Sequence, residues 1–217
     1  MNRPLRLATV AFTASAALLL TSCGSGDDES KDNDKIAGAG QGAEKSSSPS
    51  ASEATDVERP EIKLPSDLKY KFEWTKTGDK SKDAVLSDTE QYVKAIDMAI
   101  AEQDALHKSY RFYSEGEAAA GSQKFITEFV EYKDRITGTK RFYNAKVNVT
   151  GGKQASLVYC EDQGKAFNKN LKTGKTDVTS PSKDDLVIYS SQLRLNKQGV
   201  WITEQTTSDR GSAAYQS

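Results

Sequence analysis

The chain has 217 residues, 30 of them basic and 31 acidic, for a net charge of −1. That balance lacks the positive surplus of a nucleic-acid binder and implies no partner through charge alone. Only two cysteines are present, Cys23 and Cys160.

Arg3 and Arg6 precede an apolar run from Leu7 to Leu20, short of the roughly 20 residues that cross a bilayer. Residues 1–22 therefore read as a secretory signal peptide, without the twin-arginine pair of the alternative route. The run ends Leu20-Thr21-Ser22-Cys23, which resembles the bacterial lipobox. The resemblance implies cleavage before Cys23, diacylglycerol on its sulfur and acylation of the new amino terminus by chains such as palmitate. One acyl chain binds membranes marginally and a second makes anchoring stable. The expected location is the extracytoplasmic face of the cell membrane. The plain alternative is an ordinary signal peptide with an incidental cysteine.

Residues 23–64 are rich in Gly, Ser, Ala, Asp and Lys and contain no aromatic side chain. Such a segment buries too little apolar surface to offset chain entropy. It reads as a disordered tether with an end-to-end distance of roughly 35 Å. Residues 65–217 remain for one domain, about 150 residues, enough to enclose a core.

Within that domain "DLKYKFEW" alternates, with Leu68, Tyr70, Phe72 and Trp74 on one side and charge on the other, so it reads as a half-buried strand forming an N-terminal arm. From Asp83 the period changes: Val85, Thr89, Tyr92, Val93, Ile96 and Ile100 recur at three and four, predicting an amphipathic helix over 83–102. A shorter helix through Leu106, Tyr110 and Tyr113 ends near Gly116. A third starts near Ser122 with Phe125, Phe129, Tyr132 and Ile136 along one face.

Beyond Gly138 the period is two. Tyr143, Ala145, Val147 and Val149 alternate up to "TGGK", and Ala155, Leu157 and Tyr159 up to "EDQG". A short run "KAFN" leads to "LKTGKT"; Leu186 to Leu195 alternates, and "NKQG" turns into "VWITEQTT". Helices followed by an antiparallel meander predict an α+β domain with the helices covering one face of the sheet.

This order, with "VNVTGGKQASLVYCEDQGK", "GVWITEQTTSDRGS" and the lipobox, resembles small actinobacterial (Streptomyces-type) lipoproteins whose domain is NTF2-like, a cone-shaped α+β fold also called cystatin-like. The resemblance covers about residues 63–212. It implies a strongly curved antiparallel sheet with N-terminal helices packed on it. It is uninformative about activity, because the superfamily hosts isomerases, dehydratases and adaptors. Relatives of this type often carry a late cysteine able to pair with one at the position of Cys160. Here the tail reads "RGSAAYQS", so Cys160 is expected to be a free thiol, with an intermolecular bridge as the alternative.

His107 is the only histidine, so any histidine-based triad must use it; its polar surroundings point instead to a capping or solvent-facing role. No ligand spacing suggests a metal, and the acidic "CEDQG" and "KDD" stretches read as turns. "GKT" at 174–176 lacks the first glycine of a phosphate loop and reads as a hairpin turn. "NVT" at Asn148 matches a glycosylation acceptor but carries no weight in a bacterial lipoprotein. Tyr92, Tyr110, Phe125, Phe129, Tyr132 and Tyr159 are candidates to line a cone, or simply to fill the core. Enzymes of the resembled superfamily place an Asp-His or Tyr-Asp pair deep in the cone. No strand position here clearly points a carboxylate inward, so no catalytic residue and no cofactor is assigned.

Two functions follow. The favoured one is a non-enzymatic, membrane-anchored interaction or accessory module with an envelope protein partner. The alternative is a binder of, or enzyme on, a small hydrophobic envelope metabolite. An inward Asp beside a Tyr in an open pocket would favour the second, and a cone plugged by side chains would exclude it.

Overall fold

A computed structural model describes residues 57–211. The lipobox, the leader and most of the tether lie outside the described residues. Among the described residues no helix is long and apolar enough to cross a membrane.

Strand β1 (Leu68–Phe72) is followed by α1 (Lys80–Ala101), α2 (Lys108–Phe112) and α3 (Gly116–Tyr132). The chain then forms β2 (Asp134–Thr150), β3 (Gln154–Asn170), the two-residue β4 (Thr176–Asp177), β5 (Leu186–Leu195) and β6 (Trp201–Arg210). This is the α+β architecture expected: helices against one open sheet of order β1-β2-β3-β5-β6, with β4 beside β3. β1 pairs parallel to β2, Leu68 opposite Gly138 and Phe72 opposite Phe142, and the remaining pairings are antiparallel.

Local chemistry sets the boundaries. The Asp79 side chain caps α1 by accepting from the Ser81 and Lys82 amides, satisfying two of the donors a helix start leaves orphaned. α3 begins at Gly116, six residues before the expected start, and its buried residues are Ala118, Ser122 and Ile126. The expected face through Phe125 and Tyr132 is thus about one residue out of phase. Tyr132 is 62% exposed, and Ile136 belongs to β2. The buried stripe runs through Ala118, Ser122 and Ile126, with Phe129 partly buried beside it, while Phe125 and Tyr132 are exposed.

β2 and β3 are each 17 residues long. Register shifts at Thr139/Arg141 and Tyr143/Lys146 mark bulges in their pairing, the second with Asn144 at φ +54°; bulges bend a strand and re-aim its side chains. At Gly138, φ is +97° and a Cβ would lie 2.1 Å from the Lys165 carbonyl oxygen, so only glycine fits this crossing. "EDQG" is not a turn: β3 runs straight through it. β6 is partly covered at its edge, where the Glu115 amide donates to the Thr203 carbonyl and the Thr203 amide to the Tyr113 carbonyl.

Two buried clusters form the core. One joins Val85, Leu86 and Val93 of α1 to Phe142, Leu157, Tyr159, Leu193 and Trp201 of the sheet. The other joins Tyr92, Ala95, Ala99 and Ile100 to Tyr110, Tyr113, Ile126, Val200 and Ile202. Packed contacts begin before Pro65: Val57 and Ile62 lie against the second cluster, and Arg59 pairs with the buried Asp88, which also accepts from the Trp201 amide at 2.8 Å.

Candidate functional site: a pocket with a charged floor

Between α1, α3 and the sheet lies a cavity of about 630 Å³, within the ordinary range for small-molecule sites. Val93, Ile96, Phe129, Ile136, Phe142 and Phe167 supply apolar wall. Tyr92 hydrogen-bonds Ser122 at 2.6 Å, closing the α1–α3 side, and Tyr159 stacks on Tyr189 with ring centres 5.1 Å apart.

Three charged groups lie together in this lining. Lys140 is 6% exposed, Asp97 2% and Glu161 2%. The Lys140 Nζ stands 3.0 Å from Asp97 Oδ2 and 3.1 Å from Glu161 Oε1. Tyr70 donates to Asp97 Oδ2, and Glu161 Oε2 accepts from Tyr189 at 2.9 Å and from Gln163 Nε2 at 2.8 Å. Among the described residues, Asp97 Oδ1 is buried without a hydrogen-bond partner, and Glu161 Oε1 has only the Lys140 ion pair.

The electrostatics follow from burial. Desolvation alone would lower the Lys140 pKa, but Asp97 and Glu161 outweigh it and hold the ammonium charged above its ordinary range. Desolvation, then the Asp97 charge, pushes the Tyr70 hydroxyl far up. Burial does the same for Tyr159 and Tyr189. The tyrosines are therefore neutral donors. A buried ion triad is seldom more stable than apolar side chains of similar volume, so its position at the base of a cavity points to function.

The sequence-derived candidates separate here. Tyr92, Phe125, Phe129 and Tyr159 line the cavity. Tyr110 lies in the second core cluster, its hydroxyl donating to the Ala105 carbonyl at 2.8 Å, and Tyr132 faces solvent. His107 caps α2, its Nδ1 accepting from the Ser109 amide at 3.2 Å, with Nε2 3.0 Å from Glu102. Cys160 is a half-buried free thiol, its pKa raised by desolvation. Among the described residues no cluster of His, Cys, Asp and Glu is arranged for a metal.

The absence of an inward carboxylate, expected from the sequence, is corrected by Asp97 and Glu161. Their signal was phase. Asp97 follows Val93 by four residues on the buried stripe of α1, and Glu161 continues the Ala155, Leu157, Tyr159 alternation. Reading "EDQG" as a turn hid the second.

No protein-family model matches the chain, and no curated protein is similar to it. Several solved structures are distantly similar. A ketosteroid isomerase-like protein from Erwinia carotovora atroseptica is 11% identical over 62% of this chain and 98% of its own, at a TM-score of 0.41. A hexachlorocyclohexane dehydrochlorinase, LinA-type3, from Novosphingobium barchaimii is 7% identical over 61% of this chain and 90% of its own, with a TM-score of 0.41. The intermembrane space region of the chloroplast protein ARC6 is 12% identical over 59% and 96%, with a TM-score of 0.39. At that distance no activity follows from them; the case rests on the pocket.

Proposed function

We propose that this domain binds a small ligand with an apolar body and a polar head, and that lipid on Cys23 holds it at the extracytoplasmic face of the cell membrane. The observation that carries the reading is the cavity of about 630 Å³ with Asp97, Lys140 and Glu161 in its lining. A site of this kind combines apolar walls, which supply affinity, with a few convergent polar groups, which supply orientation. The interaction-module reading drew on the long tether, the near-neutral domain and the lack of such a group, and Asp97 and Glu161 remove the last of these reasons.

Gly121 provides the test. It belongs to the exposed rim of the cavity lining, and a Cβ added there meets no atom within 4 Å, so Gly121→Trp brings a large ring to the cavity mouth without a clash at Cβ. Native mass spectrometry of the full chain from its own host should show extra mass that leaves on denaturation, absent in Gly121→Trp. A bare wild-type protein, or equal extra mass in the variant, would overturn the pocket reading. Cys23→Ala tests the anchor separately: the chain should appear in the medium or persist as uncleaved precursor, and mature-sized protein on membranes would contradict the lipid attachment.

A further inference from the structure

Apolar side chains are unevenly spread over the surface. Among the described residues the exposed large ones are Leu106, Phe125, Tyr132, Val158, Leu171 and Val178. Val158 stands apart, on the face of β3 opposite Leu157 and Tyr159, which enter the core. The other five gather at one end of the domain. Phe125 and Tyr132 are seven residues apart on α3 and so share a stripe. The Leu171 amide donates to the Lys133 carbonyl at 2.8 Å, which sets the turn after β3 beside Tyr132. Gln103 Nε2 donates to the Asp134 carbonyl at 3.0 Å, which brings the loop holding Leu106 to the same end. Val178 follows Asp177, the residue opposite Asn168 in the β3–β4 pairing. The pocket opens here as well, for Phe125 and Asn168 are exposed members of its lining.

From this gathering we infer that this end of the domain rests in the headgroup layer of the bilayer that holds Cys23, with the pocket mouth at the lipid surface. The inference rests on the anchor in the proposed function, and it goes beyond that reading by orienting the domain. Contiguous exposed apolar surface marks a protein or a membrane contact, and reach argues for the membrane. Val57 is already packed against the second core cluster, and the composition of residues 23–56 gives the chain ahead of it a reach of roughly 30 Å. That is comparable with the diameter of a domain this size, about 40 Å. A bilayer so tethered acts at an effective concentration on the order of millimolar, so shallow contact suffices. Charge does not carry the contact: residues 125–134 and 171–178 hold Lys133, Lys172 and Lys175 against Glu128, Glu131, Asp134 and Asp177. Tyrosine favours the interface, ring in lipid and hydroxyl in water, and the lysines can lay their stems on lipid with their heads in water. The mouth then lies where an apolar ligand leaves the lipid.

The test reads depth at both faces. In a Cys160→Ser background, where acylated Cys23 offers no thiol, the fluorophore NBD is attached to Leu171→Cys, Tyr132→Cys or Val158→Cys of the full chain matured in its own host. Each protein is reconstituted into vesicles of phosphatidylcholine, which has no net charge, with or without doxyl-labelled lipid. At 171 and 132 the emission should shift to the blue and be lost to the doxyl quencher; at 158 it should do neither. If one patch variant fails to fold, the other decides. No quenching at either patch site, or equal quenching at 158, on protein that floats with the vesicles overturns the docking and leaves the anchor standing. Emission shielded in native membranes but not on pure lipid overturns it in favour of a protein partner. Protein that does not float at all overturns anchor and docking together.

Discussion

Lys140→Met is the most informative single change. The methionine keeps the length of the lysine stem and removes the cation that, among the described residues, pairs with both Asp97 and Glu161. Breaking a buried ion pair by deleting one partner costs about 3–5 kcal/mol, because the survivor is left uncompensated. Here two carboxylates survive, so the upper part of that range is expected at pH 8. For a domain of this size the loss corresponds to a fall in Tm of about 8–20 °C. The pH dependence is the sharper signature. In the wild-type protein Lys140 has a raised pKa, so its contribution is fully present below its ordinary value of 10.5 and constant from pH 5 to 8. In the variant no ammonium offsets the two buried carboxyls; protonating a buried, uncompensated carboxylate relieves its desolvation, so the deficit shrinks as pH falls, by up to about 1.4 kcal/mol per pH unit per proton. Urea denaturation of both proteins at pH 5 and 8 measures this. A loss below about 1 kcal/mol at pH 8, or one that is flat with pH, would refute the picture of a desiccated triad. Adding Asp97→Asn and Glu161→Gln to Lys140→Met should recover most of the stability, because a neutral buried set of the same shape carries no desolvated charge.

Three further outcomes are expected. Gly138→Ala should cost more than about 3 kcal/mol or abolish soluble expression, since the new Cβ meets backbone 2.1 Å away at φ +97°; a melting temperature within a few degrees of wild type would contradict the close β2–β3 crossing. Asp67 is held below the ordinary carboxylate range by the Arg135 guanidinium, with Lys169 assisting, so its contribution is present above its ordinary pKa of 3.8 and is lost as pH falls. Asp67→Asn should destabilise by about 1 kcal/mol at pH 7, a value discounted for exposure, and the gap should close on acidification; a gap unchanged at pH 2 to 3 would refute it. Cys160, half-buried with a raised pKa, should alkylate with iodoacetamide at pH 7.5 at least about tenfold more slowly in the folded than in the urea-unfolded chain, read from the Cys160 peptide by mass.

The fold was largely legible because period reports faces. The span Leu186 to Leu195, the "NKQG" turn and the long first helix are read directly from alternation and from three-four spacing, and the structure places β5, the β5–β6 turn and α1 there. What misled was identity standing in for phase. Phe125 and Tyr132 are large and apolar, so they drew the face of α3 toward themselves, whereas Ala118, Ser122 and Ile126 pack. The pocket floor was missed for the converse reason. Aspartate, glutamate and lysine read as surface, and only their positions in step with Val93, Tyr159 and Phe142 show that they point inward. The parallel docking of β1 on β2 had no local signal, since its partner lies 70 residues further along the chain (Leu68 opposite Gly138).

That separation bears on how the protein comes to be made. β1 cannot dock until β2 exists, so during synthesis the segment "LKYKFEW" waits while the three helices and the first half of β2 are added. Contacts between remote parts of a chain form late. Through that interval Tyr70, Phe72 and Trp74, later packed against Phe142, are an unpartnered aromatic strand of the kind that seeds aggregation. Lys69, Lys71 and Glu73 alternate with them. In the finished protein these charges are exposed on an edge strand; charges at alternate positions are what keeps such a segment soluble before its partner strand is available.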